Sequence, residues 1–518
     1  MREAPVIIIG AGIGGLVSAA LLSARGVPVM VVEKEQKPGG KARKVDVAGH
    51  GVDAGPTVFT MRPSLEAIFA DAGAELTEHL DLKPADRIAR HAWDDRDVLD
   101  LFADEQRSID AIGDFAGAQE AEGFRRFSRD AQKMLDILNE PFMHGSKTSP
   151  FGLMRRVGWS RVGKLLAIRP FQTMWSALGG YFKDARLRQL FGRYSTYCGS
   201  SPFETPATLM LIASVEARGV WLITGGMSAL AKALETVAAK NGAAFHYGDA
   251  VKEITITGGK AKGVTLVNGK QLEAQVVICN ADPSALGTGL FGAAASKAVD
   301  AINQDKRSLS AMVWLAHAET DGFTLDHHNV FFSDDYPREF AEIASGKPPE
   351  KPTAYVCALD RGTGGWRKGE PERLQVIVNA PANGDSHEYT EEEKERCTAS
   401  MLHQLSHCGL DVKQPMAHQL VTPSGFHRLF PATGGALYGR ASHGWAASFL
   451  RPGSRTRVSG LYCTGGGTHP GAGVPMAALS GRIASQTVLE DHFSTRMSRP
   501  PVIIGGISTH SATTSAMD

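Results

Sequence analysis

The sequence predicts an α/β fold in which one nucleotide-binding domain, assembled from three separated stretches, is interrupted by two large insertions. Three observations predict it. The chain opens on a strand, a glycine-rich turn, a helix and a second strand; another α/β unit begins at Thr224; and a third strand, turn and helix run from Gly460 to Leu489. Distant pieces that share one grammar are read as one sheet visited three times. In the opening unit Val6 to Ile9 is a β-branched run, Gly14 to Arg25 has helical composition ended by Gly26, and Val29 to Val32 is a second apolar strand. In the next unit a helix follows Gly225-Gly226-Met227, and strands are predicted near Ala244 to Tyr247, Val251 to Thr257, Gly263 to Val267 and Gln275 to Cys279, with Asn268-Gly269 as a hairpin signal. The domain is therefore expected over 1–110, 216–299 and 455–495. The insertion 111–215 reads as helical, and 300–454 mixes strands (Met312 to Ala316, Leu374 to Val378) with helices, one opened by a capping box at Thr390 to Glu393. Residues 496–518 read as a loose tail.

The 518 residues, with 55 Lys+Arg balancing 55 Asp+Glu and 43% hydrophobic residues, have globular composition and room for two to four domains. A zero net charge argues against a nucleic-acid partner. The six cysteines are scattered and form no C-x-x-C pair, so a reducing, cytoplasmic setting is expected, with neither a disulfide framework nor a zinc ribbon. Val6 to Leu22 carries no charge but holds four glycines, a poor composition for a span. His403 and His407 have the i, i+4 spacing of metal ligands without an accompanying Glu, and His327-His328 reads as a loop, so no metal is expected.

Gly10, Gly12 and Gly15 satisfy G-x-G-x-x-G between a strand and a helix, with Gly14 inside the same turn. The glycines let backbone approach a pyrophosphate at the positive end of the helix, and Glu33, closing the second strand, is placed to accept from an adenosine ribose. A carboxylate there favours FAD or NAD over NADP. Gly39-Gly40-Lys41 and Asp53-Ala-Gly55-Pro56-Thr57 then resemble the second flavin fingerprint and the D-x-G-P segment of the flavin amine oxidase and carotenoid desaturase superfamily. Lys41 stands where that family usually has Arg, keeping the charge without the planar fork.

The segment Gly465-Gly-Gly467-Thr-His469-Pro-Gly-Ala-Gly473-Val474-Pro475 closely resembles the flavin-closing segment of bacterial-type carotenoid desaturases, the phytoene desaturase group. The likeness extends over nearly the whole chain, through Phe182 to Phe191, Gly219-Val220-Trp221, Asn280-Ala281-Asp282 and Phe449-Leu-Arg451-Pro452. Asp53 to Arg62, Leu190 to Pro202 and Ala207 to Leu211 resemble the subfamily of phototrophic bacteria that desaturates 1-hydroxy and 1-methoxy carotenoids at C3–C4. The resemblance implies a Rossmann-like FAD-binding domain of the flavin amine oxidase and GDP-dissociation-inhibitor type, with an inserted substrate domain and a helical membrane-facing segment. It also implies FAD contacts from Gly10, Gly12, Gly14, Gly15, Glu33, Gly39, Gly40, Lys41, Gly55, Pro56, Thr57, Val251, Gly465, Gly467, Gly473 and Val474.

From Pro141 to Lys183 there is no acidic residue, while Lys147, Arg155, Arg156, Arg161, Lys164, Arg169 and Lys183 are interleaved with Phe151, Trp159, Leu165, Leu166, Ile168, Phe171, Trp175 and Tyr181. Cations beside aromatics predict a surface lying in an anionic lipid interface, hence a protein peripheral to the inner membrane. The expected activity is FAD-dependent desaturation of an acyclic carotenoid, with reduced cofactor reoxidised by quinone or oxygen. No triad is needed; His469, Arg155, Arg156 and Glu216 are the candidates for tuning charge or accepting a proton. The alternatives are a phytoene desaturase of the same group, a flavin amine oxidase, an NAD-dependent dehydrogenase, and a prenyl-lipid carrier without redox chemistry.

Overall fold

The computed structural model describes residues 4–157, 169–363, 366–413, 415 and 417–494. Its first sheet is parallel, in the order Leu461–Cys463, Val276–Cys279, Val6–Ile9, Val29–Glu33, Ala244–Tyr247, with Val6 opposite both Val29 and Val276. The central strands are apolar throughout because both faces are covered. Val6, Ile8, Val31, Val276 and Ile278 point to helices Ile13–Ala24, Met227–Lys240 and Val474–His492. Ile7, Ile9, Val32, Val277 and Cys279 point to the other side, against the antiparallel meander Val251–Thr257, Lys260–Leu266 and Gln271–Glu273. Asn268-Gly269 makes the predicted hairpin turn, with Leu266 N–H donating to the Lys270 carbonyl at 2.8 Å.

The second sheet has seven strands in the order His418–Val421, Ser310–Ala318, Glu372–Ala380, Ala354–Ala358, His328–Phe331, Arg87–Ala92, Val98–Phe102. The hairpin Arg87–Phe102, grouped by sequence with the first domain stretch, instead extends this sheet through a parallel pairing with His328–Phe331. Alternating hydrophobicity makes a hairpin legible but does not say which sheet edge it joins. His328 thus begins a strand rather than lying in a loop. The capping box forms as predicted: Glu393 N–H donates to Thr390 Oγ1 (3.2 Å) and Thr390 N–H to Glu393 Oε2 (2.8 Å).

Among the described residues between 105 and 217 the regular elements are helices, from Glu105–Ala116 and Ala118–Leu138 to Leu211–Ala217. Phe127, Phe182 and Phe191 form its centre, fully buried with ring centroids 4.7 to 5.6 Å apart. Each contributes roughly 1.5–3 kcal/mol by leaving water. Asp53 of the D-x-G-P segment ties the two halves of the cofactor domain together. Its carboxylate accepts from Met227 N–H (3.0 Å) at the start of helix Met227–Lys240.

Candidate cofactor and substrate cavity

Between the two sheets and the helical insertion lies a cavity of about 1860 Å³. Small-molecule sites are usually about 300–1,000 Å³, so this one has space for a dinucleotide and a second long molecule. Of the sequence-predicted cofactor residues all but Gly15 line it. Gly15 stands one layer behind, where a Cβ would come within 2.2 Å of the Gly10 carbonyl oxygen; its bare backbone lets the turn fold onto the helix. Gly55 is equally constrained, with a Cβ only 1.8 Å from the Lys41 carbonyl oxygen.

Two helices open into this cavity without a side-chain cap, Ile13–Ala24 after Gly12 and Val474–His492 after Gly473. Their unpaired N–H groups and positive dipole ends suit a diphosphate and carbonyl oxygens. Glu33 accepts from Ala11 N–H (2.6 Å) and Glu35 N–H (2.9 Å), which anchor the carboxylate and leave lone pairs for a ribose. Asp282 caps helix Pro283–Gly287 with Oδ1, while its Oδ2, buried in the lining, has no partner. An acceptor left bare between the glycine loops calls for a hydroxyl donor, which the sugar-alcohol chain of a flavin nucleotide carries. The residues fit FAD. The Lys41 ammonium, in the lining, donates to the Leu437 carbonyl (2.6 Å), and burial lowers its pKa. The buried Arg451 guanidinium bonds the carbonyls of Tyr438 (2.8 Å), Arg440 (2.7 Å) and Gly466 (3.2 Å), clamping the closing loop.

Of the four candidates for proton chemistry, only Glu216 lines the cavity. Its Oε2 accepts from Tyr194 OH (2.7 Å) and its Oε1 from Tyr197 OH. Burial raises its pKa, opposed by the Tyr197 hydrogen bond and the nearby Arg193. Arg193 also lines the cavity, with a 3.4 Å contact to Tyr197 OH and its guanidinium 5.9 Å from the Tyr355 ring centre. Tyr355 OH meets Thr57 Oγ1 (2.6 Å) and His328 Nδ1 (2.7 Å), linking this station to the cofactor motif. Burial keeps His328 neutral. His469 is buried outside the lining, bonded to the Gly145 carbonyl (2.9 Å) and edge-on to Phe142. Arg155 and Arg156 are exposed, and Arg156 secures the Ser146 carbonyl (2.6 Å). Arg193, Tyr197, Tyr355 and Asp282 carried no signal beyond membership of the quoted segments or apolar strands. Ligand atoms of His327, His328 and Cys357 lie within 4.8 Å of one another, but one nitrogen of each imidazole is already engaged, by the Arg361 carbonyl and by Tyr355. His403 and His407 are exposed on helix Glu391–His407.

Behind the cavity wall Glu339, 1% exposed, accepts from Thr353 N–H (3.1 Å) and Thr353 Oγ1 (2.7 Å). Burial nevertheless raises its pKa to about 7. The folded state therefore holds this proton more tightly than the unfolded chain does. Its contribution is full below the ordinary carboxyl range and is lost as pH rises through 7. Thermal unfolding should show up to about 3 kcal/mol of stability lost between pH 4.5 and 8, a loss absent in Glu339→Gln.

The rim of the cavity is apolar and exposed. Phe171 and Trp445 line it with ring centres 5.8 Å apart and with 75% and 48% exposure. One aromatic expected at a lipid surface is used inside instead: Tyr181 is buried and bonds Asp130 (2.8 Å), while Trp175, half-buried, packs on Phe203. Trp159, Arg161, Lys164, Leu165, Leu166 and Ile168 lie outside the described residues.

Two unobstructed helix starts, an anchored ribose acceptor and an adjoining apolar cavity define a flavin-dependent oxidoreductase. Residues 13–489 match the family model for flavin containing amine oxidoreductase, and the chain belongs to that family. It is 48% identical over 520 residues to a hydroxyneurosporene desaturase of Rubrivivax gelatinosus, covering 100% of this chain and 99% of that one. It is 29% identical to a 1-hydroxycarotenoid 3,4-desaturase of Flavobacterium sp. (strain P99-3), covering 93% and 98%. Among solved structures, an oxidoreductase from Methanosarcina mazei superposes with TM-score 0.58 at 18% identity, covering 94% of this chain and 100% of that one. The cofactor is FAD. No helix among the described residues is long and apolar enough to cross a membrane.

Proposed function

We propose that this chain introduces the 3,4 double bond into 1-hydroxylated acyclic carotenoids during carotenoid biosynthesis, drawing its substrate from a membrane surface. The observation that carries the proposal is one apolar cavity running from the cofactor loops to an exposed aromatic rim. A polyene can pass from bilayer to active centre along it without crossing water. Gly10, Gly12, Gly14, Gly39, Gly40, Gly55, Pro56, Thr57, Gly465, Gly467, Gly473 and Val474 would hold FAD by backbone approach, with Gly15 setting the turn, Glu33 and Asp282 accepting from hydroxyl groups, and Val251 and Lys41 walling the channel. FAD held by these residues would supply the hydride acceptor for one substrate carbon. Glu216, facing the cavity, takes the proton from the neighbouring carbon when in its carboxylate form, so two hydrogens leave and one C=C bond forms. Arg193 holds the charge of Glu216 in place through Tyr197. The apolar walls exclude water from the electron-deficient polyene. The electrons pass on to a membrane quinone or oxygen, and the protein rests peripherally on the cytoplasmic face of the inner membrane.

The test is FAD-loaded protein in liposomes with phytoene, neurosporene or 1-hydroxyneurosporene, followed by polyene absorption, which moves to the red with each new conjugated double bond. Product from the hydroxylated polyene is expected. Product from phytoene alone would sink the substrate assignment, and bleached flavin without product the substrate class. Docking is checked separately by sedimentation with anionic vesicles. Exchanging Arg155→Glu and Phe171→Ser together should weaken binding by about tenfold or more, since each basic residue near such a surface contributes about 1 kcal/mol.

A further inference from the structure

Two buried hydroxyl groups in the cavity lining have no hydrogen-bond partner, the phenol of Tyr336 and Oγ of Ser310. Tyr336 stands beside a polar corner. It opens helix Tyr336–Ala344 one turn before Glu339, whose carboxylate also receives Asn379 Nδ2 (3.4 Å) and Thr353 Oγ1 (2.7 Å). Thr353 and Asn379 both line the cavity, whereas Ser310 pairs with Ala380 and so belongs to the opposite sheet face from Asn379. The Tyr336 ring is held by Phe340 (5.1 Å between centres), Trp175 (6.0 Å) and Phe203 (6.2 Å), none of which can accept its proton. Orphaned buried hydroxyls are uncommon in folded interiors, and the Tyr336 phenol stands where a ligand would lie.

We propose that the Tyr336 phenol binds the alcohol group at the end of a hydroxylated polyene, and that this contact sets the preference for hydroxylated over plain substrate. The proposal rests on the carotenoid reading above. The phenol can donate to the alcohol oxygen or accept from its proton, and the polar residues Thr353 and Asn379 also line the cavity. A polyene lacking the alcohol leaves the phenol unpaired and is selected against.

The experiment compares kcat/KM for 1-hydroxyneurosporene and neurosporene in FAD-loaded wild type, Tyr336→Phe and, as a contrast, Ser310→Ala. Neither exchange removes an existing hydrogen bond, and flavin absorbance reports that the fold is kept. The ratio of the two constants should favour the hydroxylated polyene in the wild type, fall by about tenfold or more in Tyr336→Phe and stay in Ser310→Ala. A wild type that turns over both polyenes with a ratio unmoved by Tyr336→Phe overturns the alcohol site and leaves the carotenoid reading standing. A wild type that turns over neither polyene overturns both.

Discussion

Gly15→Ala is expected to yield protein without bound FAD and with a core weakened by about 3 kcal/mol or more. A single methyl group suffices because the added carbon would lie 2.2 Å from the Gly10 carbonyl oxygen and 3.2 Å from Asn280 Cβ. The obstacle is backbone, which no rotamer change can move aside. Relief requires the turn to lift off the helix start, and Gly10, Gly12 and Gly14, which line the cavity, move with it. Flavin absorbance per protein after gel filtration, with the urea midpoint of unfolding, checks both parts. Retention of stoichiometric FAD in the variant would contradict the role given to this turn.

Glu216→Gln should do the opposite, keeping FAD and fold while lowering kcat by about 10²–10⁴. The amide oxygen can still accept from Tyr194 and Tyr197, so the station stays packed, but no carboxylate remains to take the proton. Because burial raises the pKa of Glu216, wild-type kcat/KM should climb with pH through a value above the ordinary carboxyl range. Below that value the group is protonated and cannot act as a base. The rising limb should vanish in the variant, leaving a low, flat profile. An unchanged pH profile with merely reduced KM would instead make Glu216 a packing residue. His469→Asn serves as contrast, since His469 bonds a backbone carbonyl outside the lining and its exchange should leave that limb in place.

The cofactor end was legible because it is built from backbone. Gly10 to Gly15, Gly39 to Lys41 and Gly465 to Gly473 are short, contiguous runs whose spacing declares the turn they make, and the strands before them are buried on both faces. The substrate end was legible only at Glu216, one of four candidates of which the other three lie outside the lining. Arg193, Tyr336, Tyr355 and Asn379 come from separate regions of the chain and reach the same cavity only because the second sheet closes over the helical insertion. In sequence each is one polar residue in an ordinary amphipathic element. The basic, aromatic stretch from Pro141 to Lys183 shows the same limit: composition treated Phe171, which is exposed on the cavity rim, like Tyr181, which is buried.

Taken alone, then, the sequence determined the parts whose chemistry is local: the glycine turns, the ribose acceptor Glu33, the capping box at Thr390 and the order of strand and helix. Tertiary structure decided which sheet the hairpin Arg87–Phe102 joins, that Glu216 faces the cavity whereas His469, Arg155 and Arg156 do not, and that the buried Tyr336 phenol reaches the lining unpartnered. The physical reason is the same throughout. Backbone conformation is specified by neighbours in the chain, whereas the burial and partners of a side chain depend on residues hundreds of positions away.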